Sequence, residues 1–166
     1  GERRPGHGRR GAVMIVSSWA RAFPGTAEHA SAARRFVASL LEGSLFAEDA
    51  ALIVSELFAN AILHSESGKP GGLVTVQVSR WLLGVRIAVT DQGSVRHPVI
   101  RDGEPSRELA ESGSGLYMVR QLAAELDWHD DASGRTVHAT LGARPPGQRG
   151  LPGHQGSERL RLPQSA

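Results

Sequence analysis

Leu73-Val74-Thr75-Val76-Gln77-Val78-Ser79-Arg80-Trp81, then Leu82-Leu83-Gly84, then Val85-Arg86-Ile87-Ala88-Val89-Thr90-Asp91. Val74, Val76 and Val78 alternate with Thr75, Gln77 and Ser79, and Val85, Ile87 and Val89 alternate with Arg86, Ala88 and Thr90. A strand sends successive side chains to opposite faces, so a period of two marks a sheet with one buried side. The break around Trp81–Gly84 supplies the turn. The stretch reads as an antiparallel hairpin that buries one face and ends at Asp91.

Outward from this hairpin the periodicity changes. Upstream, Ala50, Ile53, Val54, Leu57 and Ala61 recur at helical spacing and predict a helix over Ala47–His64. Before it, Ala30, Ala33, Val37, Leu40 and Leu41 predict another over Ala27–Glu42, with Thr26 as N-cap and Gly43 at its end. Val13–Trp19 is a short apolar run that reads as a first strand, and Phe23-Pro24-Gly25-Thr26 punctuates the chain after it. Ser65–Gly72 is a loop.

Downstream, residues 92–113 have no periodic pattern, and a loop of that length inside a domain is usually functional. It reads as a lid. A third helix is expected from Gly115 to about Leu126, followed by strands Leu126–His129 and Arg135–Leu141 around a turn at Asp130–Gly134. The order is β-α-α-β-β-lid-α-β-β. It predicts an α+β two-layer sandwich, a mostly antiparallel mixed sheet with helices on one face. The expected organisation is a disordered basic arm over 1–12, one folded domain over 13–142 and a Gly/Pro/Arg-rich disordered tail over 143–166.

The bulk numbers set limits. A chain of 166 residues with 40% hydrophobic and 22% charged residues suits one ordinary domain. It has no cysteine, which excludes disulfides and thiolate metal sites and fits a reducing cytoplasm. No stretch approaches the roughly 18 apolar residues of a membrane span, and the opening Gly1–Pro5 lacks the apolar run of a signal peptide. The pI near 9.9 invites a nucleic-acid reading. The distribution argues against it: residues 1–11 and 143–166 carry +3 each, which leaves −4 for residues 12–142 out of a total of +2. A nucleic-acid reader usually carries its basic residues on a folded face. Trp19, Trp81 and Trp128 have no basic cluster between them, so packing explains them better than base stacking.

Three short motifs carry chemistry. Glu56 and Asn60 are four apart on the second predicted helix and share a face. A carboxylate there can take a proton from a nucleophile, and an amide oxygen suits Mg2+. A solvated polar helix face is the plainer reading of the pair taken alone. His64 is one step further along, and a packing or hydrogen-bonding role suits it better than a metal site with Glu56 and Asn60. Asp91 closes an apolar strand and precedes Gly93. Its carboxylate can accept from an exocyclic amine, and Gly93 lets a flat ring approach the backbone; an ordinary Asp-x-Gly turn is the plainer reading. Gly113-Ser114-Gly115-Leu116 opens a helix whose free N–H groups favour phosphate, or is simply a capped linker.

Together, in this order, the runs Glu56–Ala61, Asp91-Gln92-Gly93 and Gly113–Leu116 resemble the N, G1 and G2 boxes of the GHKL (Bergerat-fold) ATPase/kinase superfamily. The stretches Val54–Ser65, Glu111–Leu116 and Gly134–Ala139 are similar to the RsbW-like anti-sigma-factor serine kinases, and the resemblance covers about residues 15–142. It implies ATP and Mg2+ as cofactors, Glu56 as general base and Asn60 as Mg2+ ligand. It further implies Asp91 and Thr136 on the adenine side, Gly93 beside the ring, and Gly113, Ser114, Gly115 and Leu116 at the phosphates. The implied partners are an anti-anti-sigma protein carrying the substrate serine and a sigma factor, with a homodimer as a family habit. Two positions depart from the pattern. Val95 stands where the G1 box has its second glycine, and Ser114 stands where many relatives have an arginine that can touch phosphate.

Three functions follow as expectations. The first is an anti-sigma-type serine/threonine kinase. The second is a non-catalytic, nucleotide-gated binding module, favoured by Ser114 and Val95. The third is the ATP-binding half of a sensor histidine kinase, against which stands the lack of room for a phospho-accepting helical hairpin before residue 15.

Overall fold

The alternating valines of the quoted stretch do form the centre of a sheet. A computed structural model of the chain describes residues 17–93 and 114–143. Its elements are β1 (Ser17–Pro24), α1 (Ala27–Leu40), α2 (Ala47–His64), a 3-10 turn (Glu66–Gly68), β2 (Leu73–Trp81), β3 (Gly84–Asp91), α3 (Ser114–Leu122), β4 (Glu125–Asp131) and β5 (Gly134–Gly142). The basic arm, Val13–Val16, Val95, most of the lid with Glu111–Gly113, and the tail beyond Ala143 lie outside the described residues.

The five strands are ordered β1-β2-β3-β5-β4. All four pairings are antiparallel, so the expected mixed sheet is instead antiparallel throughout the described residues. The connections explain this. β2–β3 and β4–β5 are hairpins, and α1 and α2 run out and back, so β2 begins beside the end of β1, with Pro24 opposite Leu73. No right-handed crossover is needed, and none of the strands is forced parallel.

Register assigns each side chain a face. Trp19 lies opposite Val78, Val76 opposite Val89, Val89 opposite Val137 and Val137 opposite Trp128. This inner face carries the fully buried Val74, Val76, Val78, Val85 and Ile87. Against it pack Ala33 and Val37 of α1 and Ile53, Val54, Leu57, Phe58 and Ala61 of α2, in one core. The predicted α2 stripe is buried throughout. The outer face is polar: Gln77 Nε2 donates to Ser18 Oγ at 2.9 Å, and Ser18 Oγ lies 3.1 Å from Ser79 Oγ.

Three boundaries differ from expectation. β1 continues through Phe23 and Pro24 instead of stopping at Trp19. Phe23 is an anchor of the core, edge-on to Phe36 and Phe58 at 5.9 and 6.3 Å between centroids. Pro24 is tolerated because it ends a strand at the sheet edge, where its missing N–H costs no ladder bond. α1 stops at Leu40, with the Leu41 N–H reaching Val37 O and Ala38 O. α3 stops at Leu122, because the Ala124 N–H turns to Thr140 O at 2.8 Å. Leu126 therefore belongs to β4, where it shares the inner face with Ala139, its partner. Its spacing from Leu122 fits a helix, and its spacing from Trp128 fits a strand. No described helix is long and apolar enough to cross a membrane.

Candidate functional site

α2 starts with Glu48 and Asp49 in its first turn and ends with His64 in its last, both in line with the helix dipole. Its apolar stripe faces the sheet, so the residues flanking the stripe lie at the edge of the core. Glu56 and Asn60 are there, each half-buried. His64 is exposed. Among the described residues no group of three His, Cys, Asp or Glu side chains is arranged to hold a metal ion.

α3 packs on α2, and the contact falls at its first turn. A Cβ on Gly115 would collide with Glu56 Oε2. The start of α3, where a helix has N–H groups without partners inside the helix, is thus brought against the Glu56 carboxylate, and glycine at 115 permits that approach. Leu116 anchors the turn by packing against the core. Ser114 begins the helix; its side chain, like Gly113, is outside the described residues. Asn60 Nδ2 is buried and has no hydrogen-bond partner. Orphaned buried amides are rare, since each costs about 1–3 kcal/mol, and one at this wall is set up to meet a ligand.

Asp91 ends β3 on the inner face, in step with Val89. Its Oδ1 accepts from the Gly93 N–H at 2.7 Å. Burial pushes its carboxyl above the usual range; the Gly93 hydrogen bond and the Arg135 charge oppose that rise, and Asp130 adds to it. Gly93 has φ +79, and its carbonyl accepts from Glu66 N at 3.0 Å. This ties the turn after β3 to the residues just beyond α2, so Asp91 and the C-terminal half of α2 share one end of the domain.

That tie depends on a residue the sequence did not flag. Ser67 is fully buried. Its Oγ donates to Leu73 O at 2.6 Å and accepts from Gln92 N at 2.9 Å. Gln92 Oε1 in turn accepts from Leu73 N at 3.1 Å. A serine in a Ser/Gly-rich loop carries no pattern that marks it in advance.

Thr136 is not brought together with Asp91. It pairs with Thr90, their Oγ1 atoms 2.9 Å apart, on the outer face of the sheet. The residue opposite Asp91 is Arg135. Arg135 is 7% exposed. Its Nε and Nη2 donate to Asp130 Oδ1 and Oδ2 at 2.7 and 3.2 Å. Gly134 sets this register closely, because a Cβ there would overlap the Asp91 carbonyl oxygen. Arg135 was visible only as part of a closing-strand motif. The signal that identifies it is strand pairing with Asp91, which needs the register.

The arrangement offers, at one end of the domain, a carboxylate beside a helix start, an amide without a partner among the described residues, and a half-buried carboxylate at a strand mouth. Over 96 residues the chain is 29% identical to the anti-sigma F factor of Bacillus cytotoxicus. That match covers 53% of this chain and 64% of the Bacillus protein, so the chain spans just under two thirds of the relative's length. Residues 23–141, from the last turn of β1 to the end of β5, match the histidine kinase-like ATPase domain. The chain belongs to the histidine kinase-like ATPase domain family.

Proposed function

We propose that this chain binds Mg-ATP and acts as an anti-sigma-type serine/threonine protein kinase, phosphorylating an anti-anti-sigma partner and sequestering a sigma factor. The observation that carries the reading is the contact of Gly115 with Glu56: a carboxylate lies against the helix start that suits phosphate. The likeness to an anti-sigma F factor supports the choice of partners.

The residues divide the work. Asp91 accepts a hydrogen bond from the adenine amino group, and the Gly93 backbone leaves room for the ring. The N–H groups around Ser114–Leu116 receive the phosphates. The buried Asn60 amide has an unmet hydrogen bond, and an amide turned either way offers a donor to phosphate oxygen or an oxygen to a hard cation. Asn60 thus fits Mg2+ and would hold it; the ion would supply positive charge against the phosphates. Glu56 orients the serine hydroxyl and takes its proton on Oε as the hydroxyl oxygen bonds to the γ-phosphorus, while the bond from that phosphorus to the bridging oxygen breaks and ADP leaves with the electron pair. Positioning carries most of the rate in such transfers.

The test is Mg-ATP-dependent phosphorylation of the partner by wild type and by Glu56→Gln. Phosphate should appear on a partner serine with wild type only. If wild type binds both ATP and partner yet transfers no phosphate, the kinase reading fails. Stoichiometric partner binding, gated by nucleotide and indifferent to Glu56→Ala, would then identify a non-catalytic module.

A further inference from the structure

Asp91, Arg135 and Asp130 form one row across β3, β5 and β4, on the helix-covered face of the sheet. The row contains two acids and one base. The nucleotide reading above uses Asp91 alone, and leaves a buried, forked Arg–Asp pair beside it without a role. Arg–carboxylate forks of this kind are geometrically demanding and directional. The simplest role for the pair is to clip the β4–β5 hairpin. The Asp130 side chain is 49% exposed, and a clip at such a position contributes little, about 0–1 kcal/mol. Arg135 is also the residue directly opposite Asp91, on the same face of the sheet, where cross-strand neighbours interact.

We propose that Arg135 is a positioning residue for nucleotide recognition: tethered by Asp130, it holds the Asp91 carboxylate as an acceptor for the exocyclic amine of an adenine nucleotide. The inference rests on the adenine reading of Asp91. A carboxylate serves that amine best when ionised, because a protonated acid gives up part of its acceptor capacity. Burial works against ionisation at Asp91, and Arg135 works for it. Asp130, the other half of the same ion pair, works against it. The other charged or titratable groups on the described neighbouring elements are Glu48, Asp49, Glu56 and His64 on α2, Glu66 and Lys69 at the 3-10 turn, Arg80 on β2, Arg86 on β3, Arg120 on α3, Glu125, Asp127, His129 and Asp131 on β4, and His138 on β5. Glu66 and Lys69 pair with each other at 2.7 Å, and Asp131 is engaged by Ser133 N at 2.7 Å. Among the described residues, the charges acting on Asp91 are those of Arg135 and Asp130.

A sharp consequence follows. If the pair were only a hairpin clip, removing either end would have the same effect. If Arg135 serves Asp91, the two ends act with opposite sign. Asp91 is ionised above its raised pKa and becomes protonated as pH falls through it. Arg135→Gln removes the group that lowers this pKa, so nucleotide affinity is lost at higher pH than in wild type. Asp130→Asn removes a group that raises it, so affinity persists to lower pH.

The experiment uses the full chain and two readouts. ATP affinity with Mg2+ is measured by calorimetry from about pH 8 down to about pH 4, and the Asp91 carboxyl carbon is titrated by NMR without nucleotide. Arg135→Gln should move both midpoints up by about one pH unit, Asp130→Asn should move them down, and Arg135→Lys should stay near wild type. Thermal melts establish that each variant is folded; should Arg135→Gln not fold, the downward shift in Asp130→Asn decides. Midpoints that stay put, or that move the same way in Arg135→Gln and Asp130→Asn, overturn the role of Arg135. A wild type that binds no Mg-ATP at any pH overturns the nucleotide reading as well. The nucleotide-free titration tells that failure from the first.

Discussion

The β2–β3 hairpin and the β4–β5 hairpin belong to one sheet but carry different loads on their inner faces. β2 and β3 present Val74, Val76, Val78, Val85, Ile87 and Val89, all buried, and charges enter only at the ends of that face, at Arg80 and Asp91. β4 and β5 present the buried Ala139 and Leu141, then Leu126, Trp128 and Val137, each half-buried, and Arg135 and Asp130 at the Asp91 end. One hairpin holds the fold and the other shapes its edge. Regular alternation is strongest where packing alone dictates each residue, and it weakens where a charged row interrupts it. The largest test of this contrast is truncation in the core. Ile87→Ala should cost about 2–5 kcal/mol of stability by urea denaturation. Leu126→Ala should cost distinctly less, since less of its surface leaves water on folding. Equal losses would erase the distinction between the hairpins.

Where the two hairpins meet, the contrast turns into chemistry. Asp91→Ala should weaken ATP binding by about 1.5–3 kcal/mol, the range for a hydrogen bond to a charged group, read by calorimetric titration at neutral pH. An unchanged affinity removes Asp91 from the site. The same residue is a burden on the fold. Its carboxyl is raised above the usual range by burial, so the folded state binds a proton more readily than the unfolded chain. The associated stability is present below the unfolded carboxyl value and is lost as pH rises through the folded one. Asp91→Asn should therefore raise the melting temperature at pH 7 while weakening nucleotide binding. A lower melting temperature would mean that the Gly93 and Arg135 interactions outweigh the burial.

On the outer face, β4 and β5 carry a pair of histidines. His129 and His138 stack with centroids 5.1 Å apart and planes at 19°, and His138 Nε2 lies 3.3 Å from His129 Nδ1. Burial holds His138 below the usual histidine range, with Asp127 opposing and Arg86 and His129 adding to the effect. The unfolded chain then takes up a proton, near about pH 6.5, that the folded state still refuses. Stability should fall as pH drops below that value and level off once folded His138 is charged. His138→Gln should flatten this part of a melting-temperature profile. A His138→Gln profile as steep as wild type assigns the acid sensitivity elsewhere.

Much of the fold was legible in the sequence because two periodicities are hard to confuse over long stretches. α2 spans Ala47–His64 as its stripe predicts, and β2 and β3 begin and end where the alternation does. Short segments were ambiguous for the same reason. Leu126 satisfies both periods, and Pro24 looks like a stop until its place at a strand end is known. The candidate site was legible as far as residue order carries it. Glu56, Asn60, Asp91, Gly93 and Gly115 could be named as candidates from their likeness to a family's motifs, each being weak by spacing alone. Which face each strand residue occupies could not, because a one-residue change in register turns every side chain over.

Thr136 and Arg135 make that limit measurable, and they give the smallest expected effect. They are adjacent in β5, and the pairing of Asp91 with Arg135 places Thr136 opposite Thr90 on the other face. Thr136→Val keeps the shape and removes one hydroxyl. Thr90 then loses its 2.9 Å partner, at a cost of about 0.5–1.5 kcal/mol in stability. The ATP affinity should match wild type, because a sheet lies between that hydroxyl and the Asp91 carboxylate. A tenfold loss of affinity without a loss of stability would place Thr136 on the nucleotide side, and the register of β3 with β5 would have to slip by one residue to accommodate it. Such a slip would also carry Arg135 away from Asp91, so this smallest substitution tests the geometry on which the row of charges depends.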